Sequence, residues 1–200
     1  MSTAFLFPGQ GSQKIGMGAE LLEMFPEEVA QANEILGYSI RELCIEGPEE
    51  KLGQTQYTQP ALYLVSYLHA QSILKDEGKP AMAAGHSVGE FAALAFAGAF
   101  TFSDGLKMVA KRGEIMSQVS GGGMAAVIAM DVDRIMEVIE SNGFTGIDLA
   151  NFNSPGQIVI SGPEAEIKAS LSPLKEAGAK LVVPLKVSGA FHSRMMEEPA

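Results

Sequence analysis

The sequence predicts an α/β fold: a core with a parallel sheet, carrying a smaller inserted βαββαβ subdomain of the ferredoxin-like type. Three observations carry that expectation. Short apolar runs alternate with helical stretches through the first half of the chain, the rhythm of a parallel sheet. "SGGGM" at 120–124 then interrupts the chain with three successive glycines. Beyond it the apolar periodicity reads strand, helix, strand, strand, helix, strand. A length of 200 residues suits one main domain with a small insert. The expected limits are 1–123 for the core, 124–188 for the subdomain and 189–200 for a return to the core.

Taken in order, Thr3 to Phe7 is a short apolar run stopped by "PGQG", the pattern of a buried strand ending in a tight loop. "ELLEMFPEEVAQANEIL" has helical spacing that Pro26 must split or restart. Pro60 is placed to open a helix over "ALYLVSYLHAQSIL", since a missing N–H is tolerated in a first turn. "AMAAG" reads as a second strand, and "VGEFAALAFAGAF" as a helix apolar on nearly every side, buried in a layered core.

After the glycines, "MAAVIAM" reads as a strand, and "DVDRIMEVIESNG" as a helix with Asp131 at its start, Gly143 at its end and Val132, Ile135, Met136 and Ile139 on one face. "GIDLANF" and "QIVISG" form two strands around an Asn-, Ser-, Pro- and Gly-rich turn. "EAEIKASLSPLKEAG" is helical, with a kink expected at Pro173. "KLVVPLKVS" closes the set as a strand whose Pro184 belongs on a sheet edge.

Composition removes several function classes. The net charge of −10 disfavours broad binding to nucleic acid or to an anionic membrane, because phosphate recognition needs a basic field. The amino terminus lacks the basic and long apolar regions of a secretory signal, and "FAALAFAGAF" is about half of the roughly 20 residues that a membrane span needs. One cysteine, Cys44, makes no internal disulfide and no metal-ligand spacing, so a cytoplasmic protein without a metal is expected.

"GHSVG" at 85–89 fits G-x-S-x-G between an apolar strand and an apolar helix. On such an elbow a serine is lifted from the sheet on a strained turn, while the helix directs its first N–H groups and positive dipole end at the site. Val88 N–H is then a natural donor to an oxyanion. Ser87 is therefore a candidate nucleophile, with a plain loop serine as the alternative. A serine needs a base, and three histidines are present. His69 lies within a helical stretch and reads as structural; His86 adjoins Ser87 but points away on an extended turn. That leaves His192, in "SGAFHSR", as the base by elimination, with a surface-loop histidine as the alternative.

Arg112 stands on the wrong face for a solvated cation. At about 100° per residue it falls among Met108, Met116 and Val119, away from Lys107, Lys111, Glu114 and Gln118. A buried guanidinium needs an anion. Either an internal carboxylate or a substrate carboxylate held through parallel hydrogen bonds would serve.

Ordered motifs extend this reading. "FPGQGSQ" at 7–13, "GHSVGE" at 85–90 and "GAFHS" at 189–193, with "TQPAL" at 58–62, "KRG" at 111–113 and "NFNSPGQ" at 151–157, span nearly the whole chain. In these the chain resembles the malonyl-CoA:acyl carrier protein transacylases, a family shared with the acyltransferase domains of polyketide synthases. The resemblance implies a hydrolase-like α/β core with a ferredoxin-like insert. It implies that Ser87 is acylated, that His192 activates it and that Arg112 holds the malonyl carboxylate. It further implies an oxyanion hole from the backbone N–H groups of Gln10 and Val88, Gln59 beside the acyl group, and Phe191 as a mark of unbranched substrates. The partners implied are a coenzyme A thioester and acyl carrier protein, with no metal or redox cofactor. A local basic cluster is expected to steer the acidic carrier protein. Members of that family continue past "RMMEEPA", in a part that completes the large subdomain and supplies a carbonyl that orients the histidine.

Two other functions fit the same residues. A serine hydrolase shares the elbow and takes an acidic partner between serine and histidine, an interval holding Asp104, Asp131, Asp133 and Asp148. A non-catalytic module that binds carrier protein is the other.

Overall fold

The apolar run near the amino terminus forms β1 (Ala4–Phe7), which pairs in parallel with the strand formed by "MAAG". A parallel pair needs a long crossover, and here five helices supply it. They are α1 (Ala19–Met24), α2 (Pro26–Leu36), α3 (Ile40–Ile45), α4 (Glu49–Leu52) and α5 (Thr55–Glu77), after which β2 (Met82–Gly85) returns to β1 with Phe7 opposite Gly85. The computed structural model describes residues 2–187 and 189–197.

Local chemistry accounts for most of these limits. Pro26 divides the first helical stretch as expected and occupies the first turn of α2, where its missing N–H costs nothing. Ser39 caps α3 by accepting from Glu42 N–H at 3.2 Å. Pro60 departs from expectation. The helix starts at Thr55, so the proline lies inside α5 rather than at its opening. The preceding turn is held by the Thr58 hydroxyl, which donates to Leu52 and Gln54 carbonyls at 2.5 and 3.0 Å.

After β2 come α6 (Gly89–Ala97) and α7 (Phe102–Gln118). α6 ends where Gly98 takes a left-handed conformation, earlier than the apolar run does. Phe7, Leu64, Leu68, Val88, Ala92, Leu106 and Val109 share one buried cluster, which seats β1, α5, α6 and α7 around a common core. Along α7 the buried positions are Phe102, Gly105, Leu106, Val109, Gly113 and Met116. Met108, expected inside, is 40% exposed, because that stripe lies on the adjacent face.

The chain divides into two compact units, Met1–Ile115 and Met116–Ala200. The second runs β3 (Gly122–Ile128), α8 (Val132–Ser141), β4 (Asp148–Ser154), β5 (Gln157–Pro163), α9 (Glu164–Glu176) and β6 (Leu181–Pro184), and its four strands form an antiparallel sheet in the order β4-β5-β3-β6. Asp131 caps α8 by accepting from Arg134 N–H at 2.9 Å. Strand alternation sends Ala125 and Val127 into a core with Ile135, Ile139, Ile167 and Leu174 of the helices. Met124 and Ala126 face the opposite way, against Met116, Val159 and Phe191. α9 runs as one helix through Pro173, which lies near its end and still accepts from Ala177 N–H. Pro184 is on β6, an edge strand, as its missing donor requires. That strand stops at Pro184; Ser188, at the end of the expected run, lies outside the described residues.

Candidate active site

Ser87 stands between β2 and α6 with φ 54°, one of three described non-glycine residues in the left-handed region. A side chain pays strain there, and the surrounding backbone fixes it. His86 N–H donates to Phe7 carbonyl at 3.0 Å, and Glu90 N–H to Ser87 carbonyl at 3.0 Å. The two flanking glycines are sterically required. A Cβ on Gly85 would meet Glu90 N at 2.1 Å, and one on Gly89 would meet the Phe7 carbonyl oxygen at 2.3 Å. The turn can therefore close only with glycine on both sides of the serine.

Val88 is the N-cap residue of α6, placing its N–H at the head of that helix, and its side chain is buried. Gln10 follows β1, the strand paired with β2, so both loops leave the carboxyl ends of parallel strands, where ligands bind in open α/β sheets. The Gln10 amide donates to Thr55 Oγ1 at 3.2 Å, tying its loop to the start of α5.

Arg112 reaches this place from α7. Gly113 makes the approach possible: a Cβ there would lie 3.1 Å from Gln56 Cα and from the Thr55 carbonyl, so α7 rests on the first turn of α5. The half-buried guanidinium then donates through Nη1 to Gln59 Oε1 at 2.6 Å and through Nη2 to Ser87 Oγ at 3.1 Å. Gln59 is 1% exposed, so its amide is a fixed anchor. The Phe91 ring lies 5.9 Å from the guanidinium carbon. Burial pulls the Arg112 pKa below its ordinary value, and the nearby Glu90 charge partly offsets this. Of the two partners anticipated for Arg112, an internal carboxylate is represented among the described residues by Glu90, an exposed residue acting through its field.

Thus Ser87, Arg112 and Gln59 are brought into one hydrogen-bonded group. Three neighbours were not anticipated. Glu90 and Phe91 had a signal, being three and four residues beyond Ser87 at the start of α6. Thr55 had none. His69 and His86 are both exposed.

His192 and Phe191 belong to the second unit. Phe191 is 5% exposed and packs on Met116, Met124, Ala126 and Val159. His192 has φ 57° and an exposed side chain. Ser193 Oγ donates to Ala190 carbonyl at 2.7 Å and caps a short 3-10 turn, Arg194–Met196. Arg194 makes a forked ion pair with Asp148, its Nη2 2.6 Å and its Nε 3.0 Å from Oδ1. Among the described residues, no group of three or more His, Cys, Asp or Glu side chains could hold a metal ion, and no helix is long and apolar enough to cross a membrane.

Comparison with known proteins gives a consistent result. The family model described as "Acyl transferase domain" matches residues 4–200. Polyketide biosynthesis protein ThaF of Burkholderia thailandensis is 54% identical over 98% of this chain, which spans 17% of ThaF. The crystal structure of malonyl CoA-acyl carrier protein transacylase from Burkholderia pseudomallei superposes with a TM-score of 0.95 at 45% identity, covering all of this chain and 69% of its own. A malonyl-transacylase solved in complex with its holo type II polyketide synthase acyl-carrier protein has a TM-score of 0.91 at 36% identity, with 100% and 67% covered. The chain thus spans a small part of ThaF and about two thirds of the two solved transacylases. With the elbow serine, its arginine and the fold all in agreement, the chain belongs to the acyl transferase domain family, which includes the malonyl CoA-acyl carrier protein transacylases.

Proposed function

We propose that the protein transfers a malonyl group from malonyl-CoA to the phosphopantetheine thiol of acyl carrier protein through a malonyl-Ser87 intermediate. The observation that carries this reading is the Arg112 guanidinium, held by buried Gln59 at 3.1 Å from the serine oxygen. An acyl group on Ser87 that ends in a carboxylate meets a cation at the reach of a three-carbon diacid. A neutral acyl group leaves that cation with neutral hydrogen-bond partners and no carboxylate.

In the first half-reaction Ser87 Oγ attacks the thioester carbonyl while His192 accepts the hydroxyl proton. The tetrahedral oxyanion accepts hydrogen bonds from Gln10 and Val88 N–H, and coenzyme A leaves as the thiol with the proton that His192 returns. In the second, His192 takes the proton of the carrier thiol, whose sulfur attacks the malonyl ester, and Ser87 leaves as the hydroxyl with the proton that His192 returns. One thioester replaces another, so the exchange is near balance and calls for neither metal nor redox cofactor. We assign Phe191 a preference for unbranched acyl groups, through the shape its buried ring imposes beside His192.

The fold is read in the same terms. The element order and strand order of residues 122–184 support a ferredoxin-like subdomain, and the β2-elbow-α6 unit supports a hydrolase-like core. We retain 1–123, 124–188 and 189–200 as functional limits, and a cytoplasmic setting.

The test is the mass of the protein after brief mixing with malonyl-CoA. A malonyl adduct on Ser87 that passes to a pantetheine thiol faster than to water is the expected result. An adduct that only hydrolyses would make the protein a serine hydrolase, and carrier binding with no adduct would make it a binding module.

A further inference from the structure

The segment that carries His192 is short and irregular, yet it is held on both sides of the histidine. On the amino side, Phe191 is locked in an apolar cluster and the Ala190 carbonyl accepts from Ser193 Oγ at 2.7 Å. On the carboxyl side, one carboxylate holds both the main chain and the side chain of one residue. Asp148 Oδ2 accepts from Arg194 backbone N–H at 2.8 Å and from Nε at 3.1 Å, while Oδ1 accepts from Nε at 3.0 Å and Nη2 at 2.6 Å. Asp148 itself is fixed, because it opens β4 opposite Ser161 of β5. Between these two anchors His192 adopts its left-handed conformation, one that a β-carbon-bearing residue keeps only when its surroundings impose it. Asp148, His192, Ser193, Arg194 and Glu197 line one open recess.

We propose that the Asp148–Arg194 ion pair is a positioning device for His192. The inference rests on the assignment of His192 as the base. Magnitude separates this role from a stabilising one. The pair lies at the surface, with an exposed Arg194 (58%) and a partly covered Asp148 (23%), so water still reaches it. Solvated pairs add little to stability. Its forked geometry and its grip on backbone N–H, however, fix orientation. Arg194 donors also hold the Asp148 carboxyl below the usual carboxylate range, so the clamp is charged at neutral pH. A further consequence follows for the hydrolase alternative, since of the acids between serine and histidine Asp148 is committed to an arginine through both oxygens.

The experiment uses the intact protein and compares Asp148→Ala and Arg194→Ala with the parent in single-turnover malonylation of Ser87. Each variant should lose about 10- to 100-fold in the acylation rate, the cost of a base displaced by about an ångström. KM for malonyl-CoA and the urea midpoint should change little. Arg194→Lys, which keeps the main-chain donor and the charge but loses the fork, should fall between. In a His192→Ala background, Asp148→Ala should cost nothing more, because the residue acts through the histidine. A further loss as large as in the parent, or a rate loss that only tracks a fall in stability, would overturn the proposal. A His192→Ala variant with the parent's rate would instead reject the base assignment, a result distinct from failure of the clamp.

Discussion

Arg112 takes its importance from where its charge is kept. Burial lowers the pKa of the guanidinium, which remains cationic because no protein site brings an arginine near neutrality. Its partners Gln59 and Ser87 offer an amide oxygen and a hydroxyl, both neutral, so the strongest bonds it can make are still to be formed with a carboxylate. Arg112→Ala should therefore lower kcat/KM for malonyl-CoA by two orders of magnitude or more, following the ~3–5 kcal/mol of a lost buried charge partner. Acetyl-CoA, which presents no carboxylate, should lose far less, and its relative use should rise. Steady-state kinetics with both thioesters decide this. Equal losses would remove the carboxylate clamp and leave Arg112 as a prop for Ser87. The position of Arg112 was legible from helical spacing, though Met108 on the same predicted face is exposed. Its link to Gln59 was not, because two residues 53 apart in the chain meet only once α5 and α7 pack.

At the scale of elements, one glycine sets the distance between two helices and so the reach of Arg112. Gly113→Ala brings a Cβ to 3.1 Å from two backbone atoms of α5, close enough that the neighbour must shift by a few tenths of an ångström. Two terms oppose each other in stability. Overpacking costs about 1–3 kcal/mol, while alanine regains about 1 kcal/mol over glycine within a helix. The net loss should be modest, yet the shift falls on the turn beside Arg112. We expect the urea midpoint to move little while kcat/KM for malonyl-CoA falls about 10-fold. An unchanged kcat/KM would mean that α7 absorbs the methyl group elsewhere. The same helices show what sequence patterns could and could not reveal. Pro26 and Asp131 were legible because a helix terminus is decided within one turn by a missing donor or a capping oxygen. The start of α5 was not, because Thr58 and tertiary packing extend the helix past a proline. The elbow lies between these cases: spacing marked it, but the approach of Gly85 to Glu90 N and of Gly89 to the Phe7 carbonyl explains why its glycines are obligatory.

For the molecule as a whole, stability in alkali should be governed by acids buried in their neutral forms. Desolvation pushes the Cys44 thiol up to about 12 from an ordinary 9.0. Tyr38 and Tyr63 are raised above the ordinary phenol value, again chiefly by burial. The Tyr63 hydroxyl donates to Phe102 carbonyl at 2.9 Å, and Cys44 is completely buried. All three lie in the first unit. In the unfolded chain these groups release protons at their ordinary values, so between about 9 and 12 the unfolded state holds fewer protons than the folded one. Stability rises with pH only where the unfolded state binds more protons, and here it binds fewer. The urea midpoint should therefore fall continuously as pH rises above 9, with the tyrosines steepening the fall beyond 10. The chain's excess of acidic over basic residues adds self-repulsion, which grows as lysines lose their protons in this window and steepens the fall in the parent and in a Cys44 variant alike. Cys44→Ala should lower the midpoint throughout through lost packing, and should flatten the segment just above pH 9, where the thiol titrates first. An identical slope in the parent and the variant would show that the thiol is reached by solvent in the folded state, and with it that the core beneath α3 is looser than its burial indicates.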